Sequence, residues 1–77
     1  MPKSKLRRID ITSLRNPFSL IRIAKEAQKL NPGESLEFIV GDKETIEDLS
    51  SWSSRTGNPV DIRREGNLWI VRVSKVG

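Results

Sequence analysis

Residues 14–23 read LRNPFSLIRI, and the phase of this stretch sets the reading of everything around it. Pro17 suits the first turn of a helix, where its missing N–H leaves no bond unmade and its fixed φ is already helical. From there Leu20, Ile23, Ala24, Ala27 and Leu30 recur at intervals of three and four, while Arg22, Lys25, Glu26 and Lys29 face away. That is the period of an amphipathic helix. Asn31, Pro32 and Gly33 end it, because proline cannot continue the ladder and glycine sets a turn. Asn16, just ahead of the helix, reads as its cap. A cap's side-chain oxygen accepts a bond from an N–H two or three residues on and is worth typically ~1 kcal/mol over alanine.

Before this helix, Ile9 and Ile11 alternate with charged residues as the buried side of a short strand, and Thr12 and Ser13 turn the chain. After it, residues 35–40 put Leu36, Phe38 and Val40 on one face and Glu37 and Ile39 on the other, which is a second strand. Asp42 is then a natural N-cap for a second helix whose early acids, Glu44, Glu47 and Asp48, complement the positive end of the helix dipole. Ile46, Leu49 and Trp52 or Ser53 mark its inner face, and Gly57 supplies the left-handed residue that closes it. Residues 60–64, a turn at 65–67 and residues 68–73 read as a terminal hairpin. The order is β-α-β-α-β-β. Right-handed crossovers place both helices on one face of the sheet, giving a two-layer α/β sandwich in a single domain over residues 1–77. Residues 1–5 are expected to be flexible.

Composition narrows the chemistry. The 77 residues, 35% of them apolar, suffice for one small core. With no cysteine and no histidine, a disulfide framework, a thiolate zinc site, a thiol nucleophile and the commonest general base are all excluded. Asp10, Asp42 and Asp48 have no metal-ligand or glycosidase spacing, so no cofactor, metal or catalytic residue is expected. No membrane span is indicated and the cytoplasm is the expected compartment. The formal net charge of +4 is unevenly spread: residues 1–29 hold eight Lys/Arg against two acids, whereas residues 30–55 hold two against six. The serine cluster around Trp52 reads as a solvated helix end, since a reactive serine needs an acid–base partner.

The element order, together with Ile9–Asp10, then Leu14, Arg15 and Pro17 at a helix start, the Pro32–Gly33–Glu34 turn, Asp42, the Asp48–Leu49 pair and Gly57, resembles the TusA/SirA small sulfur-carrier family over residues 8–75. The resemblance implies the fold of the C-terminal domain of translation initiation factor three: a mixed four-stranded sheet ordered 1-2-4-3 with two helices on one side. In that family the helix start reads Cys-Pro-x-Pro, and the cysteine carries sulfur as a persulfide. Here the same positions read Asn16, Pro17, Phe18 and Ser19, and the family's Arg-Gly pair is Thr12–Ser13. A thiol at a helix N-terminus has its thiolate stabilised by free N–H groups and the dipole; a carboxamide gains no such reactivity.

Two roles remain open at this point. The first is a non-catalytic binding or regulatory module whose partner, a protein of a sulfur-relay or redox pathway, docks around Arg15, Asn16, Pro17, Phe18, Ser19 and Arg22. The second is RNA binding by the open sheet face, where strand phase points Arg8, Arg63 and Arg72 together with Asp10, Asp61 and Ile70, beside a basic N-terminal arm. That face lacks stacking aromatics, because Trp69 is expected to point inward with Val71 and Val73. Charged residues on the two edge strands, Lys5, Arg7, Arg63 and Arg64, along with Pro59, discourage edge pairing, so a monomer is expected.

Overall fold

A computed structural model describes residues 6–76. What the sequence suggests for residues 1–5, including Lys3 and Lys5, lies outside them. The chain forms β1 (Arg8–Asp10), α1 (Phe18–Gln28), β2 (Ser35–Val40), α2 (Lys43–Thr56), β3 (Val60–Glu65) and β4 (Leu68–Ser74). The four strands make one sheet in the order β1-β2-β4-β3. β2 runs parallel to β1 and antiparallel to β4, and β4 is antiparallel to β3. Both helical crossovers therefore step in the same direction across the sheet, and right-handedness puts α1 and α2 on the same side, where they touch.

Registration explains the core. On the helix-covered face Ile9, Phe38, Val71 and Ile62 lie in one row, with Leu36, Val73 and Val60 in the next. Leu36, Phe38, Val71 and Val73 are fully buried there beneath Ile23 and Leu49, with Trp52 and Ala27 closing the layer. Trp69 points inward as expected, packs against this cluster, and carries the Arg64 guanidinium 4.9 Å from its ring centroid. The hairpin closes through Gly66 at φ +60, the positive-φ first position of a two-residue turn, and Gly57 at φ +79 ends α2 in the left-handed conformation.

Two local expectations need correction. α1 stops at Gln28, ahead of the proline, because the last turn tightens: the N–H groups of Lys29 and Leu30 bond to the carbonyls of Glu26 and Ala27, three residues back. Leu30 stays buried all the same. Asn16 does not cap α1. Pro17 occupies the cap position, no side-chain cap bond is made, and the Arg15 carbonyl takes the N–H groups of Phe18 and Ser19 at 2.7 and 3.1 Å.

Candidate functional site

Asn16 sits where the β1–α1 connection enters the helix, across a cis peptide bond to Pro17. It is engaged on both of its donors. Its backbone N–H donates to Asp42 Oδ2 at 2.6 Å and its side-chain Nδ2 to Asp48 Oδ2 at 2.7 Å. Both acceptors belong to the head of the second helix, so a single asparagine ties the starts of α1 and α2 together. Asp42 does occupy the N-cap position of α2, with extended backbone, but its carboxylate makes no cap bond. It turns instead to Asn16 and to the Thr45 hydroxyl, which donates at 3.0 Å. The Asn16 N–H is the main cause that holds the Asp42 carboxyl below the usual aspartate range. Partial burial opposes it, while the Thr45 hydroxyl, the nearby Glu44 N–H and the charge of Arg15 assist.

Ser19 departs from expectation. It is fully buried and its hydroxyl bonds to that of Thr45, also fully buried, so it belongs to the helix–helix seam and not to a partner surface. A buried hydroxyl needs such a partner, and these two satisfy each other. Helical spacing contains the signal: Ser19, Ile23 and Ala27 are four apart and share the innermost stripe. Phe18 lies on the opposite side and is 66% exposed, with Ile21, one turn on, 45% exposed. Arg15 and Pro17 are exposed beside them, and Arg22 is half-buried in an ion pair with Glu26 at 3.0 Å. What remains of the predicted surface is a small apolar strip, Phe18 and Ile21, rimmed by cations.

The open sheet face also differs from a basic platform. Registration sets Arg8, Glu37, Arg72 and Asp61 side by side across all four strands. Glu37 is buried between the two arginines, accepting from Arg8 at 2.9 Å and from Arg72 at 3.4 Å. Burial alone would raise its carboxyl; the bond and charge of Arg8, then those of Arg72, outweigh it and hold the group below the usual glutamate range. Arg63 lies 3.7 Å from Glu65. The three arginines do share this face, as strand phase requires, yet each stands next to an acid. Among the described residues no group of acids could hold a metal ion, and no helix is long and apolar enough to cross a membrane.

Residues 7–75 match the family described as "Sulfurtransferase TusA". In shape the chain is similar to the crystal structure of a SirA-like protein from Desulfitobacterium hafniense, with a TM-score of 0.79 over 94% of this chain and 100% of that one, at 16% identity. No curated protein matches it.

Proposed function

The chain belongs to the TusA family, and from that premise we propose that it is a non-catalytic, protein-binding member that works through the exposed start of α1. One observation carries this reading. The position that holds the family's reactive cysteine is Asn16, its amide committed to Asp48, and the sequence contains no cysteine to take its place. A persulfide needs a thiolate sulfur to form on; an amide nitrogen bonded to a carboxylate offers none. What the scaffold retains is a positioned surface. Phe18 is a large apolar side chain held in water, with Ile21 beside it and Arg15 and Arg22 at the rim, which is the composition of an interface anchor. Its partner is a protein of a sulfur-relay or redox pathway, met in the cytoplasm.

Substituting Phe18→Glu and comparing the proteins retained by the variant and the unaltered chain tests this directly. Partners held by the unaltered chain are expected to be lost. Equal recovery would count against the surface. For the RNA reading nothing specific speaks, because Glu37 offsets Arg8 and Arg72. Short RNA added at low salt is expected to leave the amide resonances of β1, β3 and β4 unmoved, and salt-sensitive shifts at Arg8, Arg63 and Arg72 would reverse that judgement.

A further inference from the structure

The face of the sheet that no helix covers carries a pattern of side chains that is complementary to itself. Its middle row runs Arg8, Glu37, Arg72, Asp61 from β1 to β3, so the signs alternate plus, minus, plus, minus. The next row runs Asp10, Ile39, Ile70, Arg63: minus, apolar, apolar, plus. On the far side Ser35 and Ser74 face each other and share a hydrogen bond of 2.9 Å between their hydroxyls. Each of these three rows changes sign, or keeps its character, when read backwards; the row at the hairpin end, Leu68 beside Glu65, does not.

A two-fold axis parallel to the strands, lying above the β2–β4 seam, reads every row backwards. It sets Arg8 against Asp61 of a second copy, Glu37 against Arg72, Asp10 against Arg63, Ile39 against Ile70 and Ser35 against Ser74. The six charged side chains of these rows then meet their opposites and the two isoleucines meet each other; Glu37 and Ile70, at 5% and 4% exposure, reach the partner only at their outermost atoms, and Glu65 at the hairpin end meets no cation. The competing two-fold, lying across the strands between the two charged rows, sets Glu37 against Ile39 and Arg72 against Ile70. That buries charges against hydrocarbon, which is costly. Two rows that are independent in sequence agree on the first axis and disagree with the second. We propose that the open sheet face is a self-association surface, whose occupant is a second copy of this chain packed sheet on sheet about a two-fold parallel to the strands.

Area sets the strength. With strands about 4.8 Å apart and same-face rows about 6.7 Å apart, this face offers at most roughly 400 Å² per copy, and less where Glu37 and Ile70 are already buried. A total of at most about 800 Å² falls short of the roughly 1,200–2,000 Å² of stable specific interfaces, so the dimer is weak and forms at high concentration. Its attraction is electrostatic in register and weakens as salt rises. The monomer expected from sequence rested on charged strand edges, which block pairing edge to edge and leave the face untouched.

Amide spectra of the full chain from about 20 μM to about 1 mM, with sedimentation at the same concentrations, decide the matter. Concentration-dependent shifts confined to Arg8, Asp10, Glu37, Ile39, Asp61, Arg63, Ile70 and Arg72, reduced at least several-fold by 0.5 M salt (an estimate from screening over about 4 Å), are expected. Asp61→Arg should abolish them, since it places two arginine pairs in opposition, and so should Arg8→Asp. Mixing the two variants should restore association, because each then supplies the charge the other lacks. If Arg8→Asp unfolds through loss of its bond to Glu37, Arg63→Asp mixed with Asp10→Arg asks the same question in the neighbouring row. A chain that stays monomeric at the highest concentration, or shifts that map to α1, or a mixture that fails to associate when both variants are folded, would overturn the proposal.

Discussion

At the residue scale the molecule turns on where a few polar groups find partners. Asp42 accepts two donors at the helix–helix seam, so Asp42→Ala leaves the Asn16 N–H and the Thr45 hydroxyl short of their acceptor. Loss of bonds to a charged group in a partly buried place is expected to cost about 1–3 kcal/mol, read from urea unfolding. Glu37→Gln removes the charge that holds Arg8 and Arg72 together. Because both arginines are about half exposed, the expected loss is smaller than for a fully buried pair, about 1–2 kcal/mol. The identity of residue 16 was plain in the sequence, but its role was not. Capping is a local rule, whereas the acceptor that Asn16 uses, Asp48, lies 32 residues on. Ser19 reads as a surface residue because serine usually is one; its spacing to Ile23 and Ala27 puts it on the inner stripe of α1, and the hydroxyl that satisfies it there lies 26 positions away.

At the element scale the helices and strands follow their local signals closely. The glycine that ends α2 sits at φ +79 with nothing near a built Cβ, so Gly57→Ala is opposed by backbone strain alone. A loss of about 1 kcal/mol in thermal or urea unfolding is expected. Phe18→Glu is the complementary case. The side chain is two-thirds solvent-exposed, and α1 has no acidic residue in its first turn, so a glutamate there meets the positive end of the dipole. Folding stability is expected to hold within about 0.5 kcal/mol or to rise slightly, while partner binding is lost. A marked fall in stability would mean that Phe18 serves the fold. Strand boundaries were legible because alternation on a half-covered sheet is a direct image of burial: Ser35–Val40 places Leu36, Phe38 and Val40 inward. The early end of α1 was not legible, since a tightened last turn leaves no mark in the pattern of apolar residues.

At the scale of the whole molecule, acid is the informative stress. Asp42 and Glu37 both have their carboxyls held below their usual values of 3.8 and 4.5 in the folded protein. A carboxyl lowered on folding binds fewer protons folded than unfolded, so it adds stability above its usual value. That contribution is lost as pH falls through the folded value. The unfolding temperature is therefore expected to fall as pH drops below about 4, and Asp42→Asn should flatten part of that slope. An unchanged slope in the variant would remove Asp42 from the account. The same two carboxylates link elements distant in sequence, one joining the heads of the helices and the other joining β1 to β4 through β2.

The sequence by itself determined the order of elements, the inward residues of each strand and the absence of a thiol, because periodicity, turn chemistry and composition are local or additive properties of the chain. Only the tertiary structure decided that Asn16 is held by Asp48, that the Ser19 hydroxyl is met by that of Thr45, and that Glu37 is buried between Arg8 and Arg72. Those facts depend on which residues become neighbours across the seam and across the sheet. Neighbours of that kind are fixed by packing and strand register, where separations of some thirty positions collapse to the length of one hydrogen bond.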